Sequence, residues 1–166
     1  AISFAPRSAA AWIGLGNAMI DLEQVELAEM ALNKSLELDP NNATAWCAKG
    51  ILFKELGKYD LAIECLETAR KFAPLMPEIA NNAAHLYLSS CNFLAGWSDY
   101  ESRWNVKAFN SHRLFMNEKR WNGEEMDGDL LVWSEQGIGD QILYASMLQM
   151  LSQKVQNIVV MLDHRL

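Results

Sequence analysis

The stretch PRSAAAWIGLG at residues 6–16 is followed 34 residues later by PNNATAWCAKG at residues 40–50. Proline, tryptophan and glycine keep their places in both copies. The same interval separates three further pairs, which are Ala28 and Ala62, Leu32 and Leu66, and Pro40 and Pro74. So many unlike residues in one register indicate an internal repeat, in which copies of one supersecondary unit stack into a continuous array.

The repeat resembles the 34-residue tetratricopeptide (TPR) signature, a helix–turn–helix unit with fixed tryptophan, glycine, alanine and proline positions. The first copy matches at Trp12, Leu15, Gly16, Met19, Ala28, Leu32 and Pro40. The second copy matches at Trp46, Gly50, Phe53, Gly57, Tyr59, Ala62, Leu66, Ala69 and Pro74, and departs from the signature at Lys49. The small residues let the two helices of a repeat approach closely, and the proline ends a helix. We therefore expect a mostly α protein built as a TPR helix-turn-helix superhelix.

A third copy is degenerate, because Ala80 replaces the tryptophan, Ala84 the glycine and Gly96 the alanine, whereas Tyr87 is kept. Helical spacing of apolar residues still predicts two helices there. The predicted helices span 8–21, 24–38, 42–55, 58–72, 77–90 and 93–105. The array is expected over residues 1–105, with the tail of an upstream repeat at 1–6 and repeats at 7–40, 41–74 and 75–105. We expect the chain to be an excerpt that begins inside a longer array.

The first helix of each repeat lines the concave groove of such arrays, which usually holds a peptide or an extended segment. The register places nine candidate groove residues there: Ile13, Asn17, Asp21, Cys47, Ile51, Lys54, Asn81, Asn82 and His85. The expected partner is a protein or peptide, or the rest of the same polypeptide. In the alternative interpretation these side chains merely solvate the inner face.

The charge balance argues against a general nucleic-acid binder, because 21 Asp and Glu residues outnumber 14 Lys and Arg residues and leave a net charge of −7. No apolar stretch approaches the roughly 18 residues that a membrane span needs, and no signal peptide is visible, so we expect a soluble cytoplasmic protein. The three cysteines lack CxxC spacing, which indicates neither a disulfide framework nor a metal site. Cys47, Cys65 and Cys91 are expected to be small buried hydrophobic residues.

The repeat pattern stops at Val106, and residues 106–128 are predicted to be a linker. An apolar run at 130–133, a glycine turn, an apolar helical stretch at about 141–153 and a second apolar run at 157–162 predict a βαβ unit. Residues 129–166 are thus expected to be a partial α/β (βαβ), Rossmann-like segment. Its turn matches neither a dinucleotide fingerprint nor a Walker A loop. The candidate ligand loop consists of Glu135, Gln136, Gly137 and Gly139, and Asp140 either caps the helix or faces a ligand.

The run from Gly96 to Trp104, the segment from Trp121 to Glu124 and LLVWSEQGIGD at residues 130–140 resemble bacterial TPR proteins with a C-terminal glycosyltransferase-like domain. That domain is similar to the heptosyltransferase family (glycosyltransferase family 9) of GT-B fold. The resemblance implies a longer parent protein that binds a nucleotide-sugar donor, with Asp140 as the general base toward the acceptor hydroxyl. The chain as given holds the first βαβ unit without a donor-binding half, so it is expected to bind no cofactor and to transfer no sugar. The alternative is a non-enzymatic TPR scaffold with a degenerate glycosyltransferase-like end.

The predicted βαβ unit leaves its apolar helix short of partners, because parallel sheets need both faces covered. This helix carries Ile142, Leu143, Met147, Leu148, Met150 and Leu151. We therefore expect residues 129–166 to pair with a second copy of the chain or to pack back on the repeat array.

Overall fold

A computed structural model describes residues 6–109, 118–135 and 137–166 of the chain. The chain divides into two compact units, Ala1–Phe109 and Asn110–Leu166. The described part of the first unit is built of helices, and the second unit contains a small parallel sheet.

Three helix–turn–helix pairs form the first unit, which confirms the mostly helical repeat fold. Their bounds are α1 (Ala9–Asp21), α2 (Val25–Leu38), α3 (Ala43–Glu55), α4 (Tyr59–Phe72), α5 (Pro77–Ser89) and α6 (Phe93–Tyr100). The last helix is shorter than predicted, because the chain continues from α6 as a 3-10 helix at Glu101–Asn105. The buried Arg103 lies in this tighter turn, with its guanidinium carbon 4.4 Å from the ring centroid of Tyr100 and 4.6 Å from that of Trp104.

Glycine in the first helix of a repeat produces the close approach that the sequence predicts. A Cβ atom added to Gly16 would lie 2.7 Å from Leu32 Cγ, and one added to Gly50 would lie 2.8 Å from Leu66 Cγ. Atoms in a protein core do not pack so tightly, so a larger residue at either position would force the helices apart. The matching alanines of the second helices are fully buried.

The third repeat keeps this contact with its two small residues exchanged between the helices. Ala84 takes the glycine position in α5, and Gly96 takes the alanine position in α6. Ala84 is fully buried, and a Cβ atom added to Gly96 would lie 2.7 Å from Leu88 Cγ and 3.1 Å from the Leu88 backbone nitrogen. The degenerate copy therefore retains tight helix packing. Its notch, by which we mean the gap at a small residue that a neighbouring leucine fills, lies on the second helix.

The turn inside each repeat uses one left-handed residue at the same register position. Glu23, Gly57 and Cys91 have φ values of 58°, 69° and 61°. In each turn the following residue donates its N–H to a carbonyl oxygen five residues earlier, at 2.8–2.9 Å. This pattern is the helix C-cap that glycine favours. Glutamate and cysteine adopt it in the first and third repeats at an energetic cost that glycine avoids.

The core of the first unit consists of two clusters that share helix α3. The first cluster joins α1, α2 and α3 through Ile13, Ala28, Leu32, Ala45, Ala48 and Leu52. The second joins α3, α4 and α5 through Cys47, Phe53, Ala62, Cys65, Leu66, Ala69, Ile79, Ala83 and Leu86. Each repeat thus buries its apolar face against the next one, as expected for a stacked array.

Polar contacts also tie the third repeat to the second. The Arg70 guanidinium of α4 donates two hydrogen bonds to the Asp99 carboxylate of α6. The Tyr87 hydroxyl of α5 donates to Glu67 Oε1 of α4 at 2.8 Å. Burial, and then the hydrogen bond to Glu67, raise the pKa of Tyr87 to about 12.

The second unit runs β1 (Met126–Trp133), α7 (Ile138–Ala145), α8 (Leu148–Leu151) and β2 (Val155–Met161). The two strands pair in parallel, with Leu130 opposite Ile158 and Val132 opposite Val160. The structure therefore contains a two-stranded parallel sheet with helices between the strands.

Three elements in this unit differ in their bounds from the predicted ones, and the second strand, predicted over 157–162, spans Val155–Met161. Strand β1 begins four residues earlier than the apolar run at 130–133, because Met126 pairs with Val155 across an irregular register that Gly128 accommodates at a φ of 116°. The helix predicted over 141–153 begins at Ile138 and is interrupted between α7 and α8. Apolar periodicity misses both features, since polar residues pair in β1 and the interruption falls within a continuous apolar stretch.

The second unit buries little of its apolar surface. Val155 is its one buried hydrophobic residue among those that the structure describes. On α7 and the following turn, Ile142 is 60% exposed, Leu143 64% and Met147 53%. Across the described residues, no helix combines the length and the apolar character needed to cross a membrane.

Candidate functional site

The first helices of the three repeats are neighbours, since α1 contacts α3 and α3 contacts α5. Residues 34 positions apart therefore form rows that cross the three helices. The predicted groove residues include two such rows, Ile13–Cys47–Asn81 and Asn17–Ile51–His85, and Asp21, Lys54 and Asn82 come from adjoining positions. We call the surface formed by these residues the helix A face.

Two of the predicted groove residues lie in the core beneath the helix A face. Ile13 is 7% exposed and Cys47 is 5% exposed. Burial raises the pKa of the Cys47 thiol, so that the side chain stays neutral and packs as a small apolar group. Its sulfur accepts a hydrogen bond from Asn82 Nδ2 at 3.3 Å. The side chains of Ile13 and Cys47 therefore support the helix A face from within the core.

The remaining members of the rows are more accessible. Asn17 and Asp21 of α1 are exposed, and Ile51 of α3 is half-buried. Asn81 of α5 is also half-buried, and its Oδ1 atom is buried without a hydrogen-bond donor from the described residues. Buried polar atoms normally have a partner, so this oxygen departs from the usual pattern.

Lys54 and His85 form a polar spot on the same face. The Lys54 ammonium pairs with Glu55 at 3.0 Å, and the His85 ring contacts Tyr100 edge to face at a centroid distance of 5.6 Å. Partial burial and then the nearby Lys54 charge lower the pKa of His85. His85 is therefore neutral at pH 7 and offers one ring nitrogen as a donor and one as an acceptor.

The candidate ligand loop follows β1 in the second unit. Glu135 is half-buried, Gly137 occupies the N-cap position of α7, and Gln136 lies outside the described residues. The predicted capping role of Asp140 is wrong, because this residue is the third of α7 and makes no cap. Its exposed carboxylate lies in the first helical turn, where the helix dipole favours a negative charge. Within the described ranges no three His, Cys, Asp or Glu side chains are grouped to hold a metal ion.

The structure also shows that large apolar residues of α6 are exposed, among them Phe93 and Trp97, which the sequence pattern assigns to one apolar helical face, and Leu94, which it did not single out. On α6, Phe93 is 57% exposed, Leu94 89% and Trp97 53%. The first two repeats carry Glu26 and Asp60 at the register position of Leu94, and that comparison was the available signal. Cys91, which was predicted to be buried, is exposed because it occupies the left-handed turn position between α5 and α6.

The fold and the helix A face define a helical repeat array of the protein-interaction class. Residues 9–42 and residues 31–64 each match a family model described as a tetratricopeptide repeat. Residues 9–64 thus carry tetratricopeptide repeats, and these repeats support a protein-interaction scaffold role for the first unit.

Two curated proteins share sequence with the chain over different lengths. Protein FlbA of Caulobacter vibrioides is 27% identical over 148 residues, which cover 86% of this chain and 25% of FlbA. Neutrophil cytosol factor 2 of Mus musculus is 42% identical over 48 residues, which cover 29% of this chain and 9% of that protein. The chain therefore spans a quarter or less of the length of these relatives.

Solved structures resemble the chain in fold. The structure of PilF from Pseudomonas aeruginosa has a TM-score of 0.55 at 23% identity, over 57% of this chain and 42% of that chain. A crystal structure of MamA has a TM-score of 0.53 at 21% identity, over 61% of this chain and 59% of that chain. At these identities the likeness concerns the helical repeat architecture alone.

Proposed function

We propose that the first unit binds an extended polypeptide segment across the helix A face. The observation that carries the proposal is the common register of the row Asn17–Ile51–His85 on three neighbouring helices. Packed helices lie about 8–10 Å apart. An extended chain advances about 3.3 Å per residue, so roughly three residues of a bound segment match each repeat.

The chemistry of the helix A face defines the segment that it fits best. Ile51 offers an apolar contact at the centre of the row, between the polar Asn17 and His85. The Lys54 ammonium suits a carboxylate or a carbonyl oxygen. A segment with one apolar side chain, followed by an acidic residue, meets these requirements.

Retention of a partner by the immobilised chain tests this proposal. The combined substitution Asn17→Ala and Asn82→Ala should reduce the amount of one specific polypeptide retained from an extract of the source cells. Glu64→Ala provides the control, since Glu64 is exposed on α4, away from the helix A face. Equal retention by both variants would contradict binding on the helix A face. Alternatively, the helix A face is the binding site of the chain's own linker or second unit. In that case the face should be protected from hydrogen exchange, and removal of residues 106–166 should abolish this protection.

We also propose that the second unit is the first βαβ unit of a glycosyltransferase-like domain in a longer protein, of the family 9, heptosyltransferase-like GT-B type. The parallel pairing of β1 and β2 around α7 and α8 supports it, as do Glu135 and Gly137 between β1 and α7 and Gly139 in the first turn of α7. In this proposal the nucleotide-sugar donor binds elsewhere in the longer protein. Asp140 then accepts the acceptor hydroxyl proton, a role that an exposed carboxylate suits.

Turnover of sugar nucleotides by the longer protein tests that second proposal. Asp140→Ala should abolish turnover, while Asp140→Glu should retain part of it. Normal activity of Asp140→Ala would remove the residue from the mechanism. A longer protein that binds its partner but never turns over a sugar nucleotide would favour the non-enzymatic scaffold.

We further propose that the chain self-associates through its second unit and that it is located in the cytoplasm. Exposed Ile142, Leu143 and Met147 favour pairing of residues 129–166 with a second copy. Sedimentation should then show a dimer that Leu143→Glu dissociates, and a monomer at all concentrations would contradict it. The unpaired cysteines of the described chain fit the reducing cytoplasm as the proposed location.

A further inference from the structure

A cleft between α1 and α2 lies apart from the helix A face and shares no residue with it. Its volume is about 560 Å3. Its lining residues are Trp12, Glu26, Glu29, Met30, Asn33, Lys34 and Glu37. The contribution from α2 runs along one side of that helix at helical spacing, so the cleft is built on two packed helices within one repeat.

The cleft combines an aromatic ring with carboxylates that lack partners. The Trp12 indole is oriented by its N–H, which donates to the Pro6 carbonyl oxygen at 2.9 Å. The half-exposed Met30 adds an apolar surface. Glu26 and Glu29 have no ion-pair partner in the part of the chain that the structure describes, whereas Glu37 pairs with Lys34 at 2.6 Å. The lining therefore carries a net negative charge beside an indole ring.

The second repeat shows which chemical group suits this tryptophan position. There the Lys49 ammonium lies 5.8 Å from the centroid of the Trp46 ring, within the range of a cation–π contact. Leu15 stands at the matching position of the first repeat, so Trp12 lacks this internal cation. The first repeat thus presents the same indole, adds two unpaired carboxylates and supplies no lysine at that position.

We propose that this cleft binds a lysine or arginine side chain of a partner polypeptide. The alkyl part of the side chain packs on Met30, and its cationic group lies over the Trp12 ring and pairs with Glu26 or Glu29. Binding is reversible and involves no covalent step. This site is additional to the proposed helix A face, and it selects a basic residue of the partner, whereas the helix A face selects an apolar and an acidic one.

NMR titration of the Trp12 indole N–H signal in the 166-residue chain tests the proposal. The probes are Nα-acetyl-lysine methylamide, the matching arginine compound and the neutral norleucine compound, which has a similar alkyl chain and no charge. The signal, assigned by its loss in Trp12→Phe, should shift in a saturable manner with the two basic probes. Higher salt should weaken the effect, because an exposed ion pair is screened.

Matched charge variants show whether the effect is local. Glu26→Gln with Glu29→Gln should weaken binding of the lysine probe by about three- to tenfold, given the modest strength of exposed ion pairs. Asp60→Asn with Glu64→Gln removes the same charge from α4 and should leave the affinity unchanged. An equal response to the norleucine probe, or an equal loss of affinity in both double variants, would overturn the proposal. Binding to the helix A face is unaffected by either result, because Asn17 and Asn82 are intact in all of these variants.

Discussion

The two units differ sharply in how many of their apolar residues they bury. In the described chain, 17 of the 18 buried hydrophobic residues belong to the first unit, and Val155 alone belongs to the second. Stacked helix pairs bury one face against each neighbour, whereas a two-stranded parallel sheet has too little area to cover both of its faces. The comparison shows that the first unit buries its own apolar side chains, whereas the second leaves most of its large apolar side chains exposed.

The largest difference is expected from truncation of a leucine in each unit. Leu66→Ala should destabilise the first unit by about 2–5 kcal/mol, because Leu66 is 3% exposed and fills the notch at Gly50. Leu143→Ala in α7 should change the stability by less than about 0.5 kcal/mol, because its side chain is 64% exposed. Urea unfolding followed by circular dichroism measures both. Similar losses in the two variants would contradict the difference in burial.

The next largest effect concerns the helix notches. Gly50→Ala should cost about 1–3 kcal/mol, since the added carbon would meet Leu66 at 2.8 Å. Gly14→Ala is the matched control, because Gly14 is also helical and has no atom within 4 Å of the added carbon. That control should be neutral or stabilising by up to about 1 kcal/mol. Thermal unfolding of both variants distinguishes packing from helix propensity, and a stabilised Gly50→Ala variant would contradict the close approach.

A smaller effect of opposite sign is expected at the left-handed turns. Cys91→Gly should stabilise the first unit by up to about 1 kcal/mol, because Cys91 has a φ of 61° that glycine adopts without strain. Ser90→Gly, at an ordinary φ of −92°, is the control and should be slightly destabilising. The midpoint of thermal unfolding reports both changes. Loss of stability in Cys91→Gly would show that the cysteine side chain contributes more than its backbone strain costs.

The smallest expected effect is the pH dependence contributed by His85. Burial and the Lys54 charge hold its pKa below the ordinary value in the folded chain. The unfolded chain therefore binds more protons, and stability falls as the pH drops from about 6.5 through the lowered pKa. Lys54→Gln should move the His85 pKa upward, as NMR titration of the ring protons would show. An unchanged His85 titration would show that the Lys54 charge does not affect the pKa of His85.

The sequence predicts most of the first unit because its signals recur every 34 residues. The Gly16 and Gly50 notches follow from size alone, and the structure confirms them. The predicted helix ends place turns at Glu23 and Cys91, but their left-handed backbone was not predicted, since neither residue carries the glycine signal that marks Gly57. Comparing the three repeats position by position would have found them.

The second unit was less predictable, because its elements lack a repeat for comparison. Asp140 resembled a cap, yet Gly137 takes the cap position, since a backbone group can begin a helix without a side-chain acceptor. Ile13 and Cys47 share a register position among the candidate groove residues, yet both side chains are buried, because burial depends on the neighbouring repeat. Register predicts which residues share a helix face and does not predict how deep each side chain lies.

Photo-cross-linking from the helix A face is the most direct test of partner binding by the first unit. A photoreactive amino acid at Ile51 or His85 should cross-link to one specific polypeptide in extracts of the source cells, and the same amino acid at Glu64 should not. Asn17→Ala with Asn82→Ala should lower the yield from Ile51 without unfolding the chain. Cross-links of equal yield from Glu64, or none from Ile51 and His85 in a folded chain, would contradict partner binding on the helix A face.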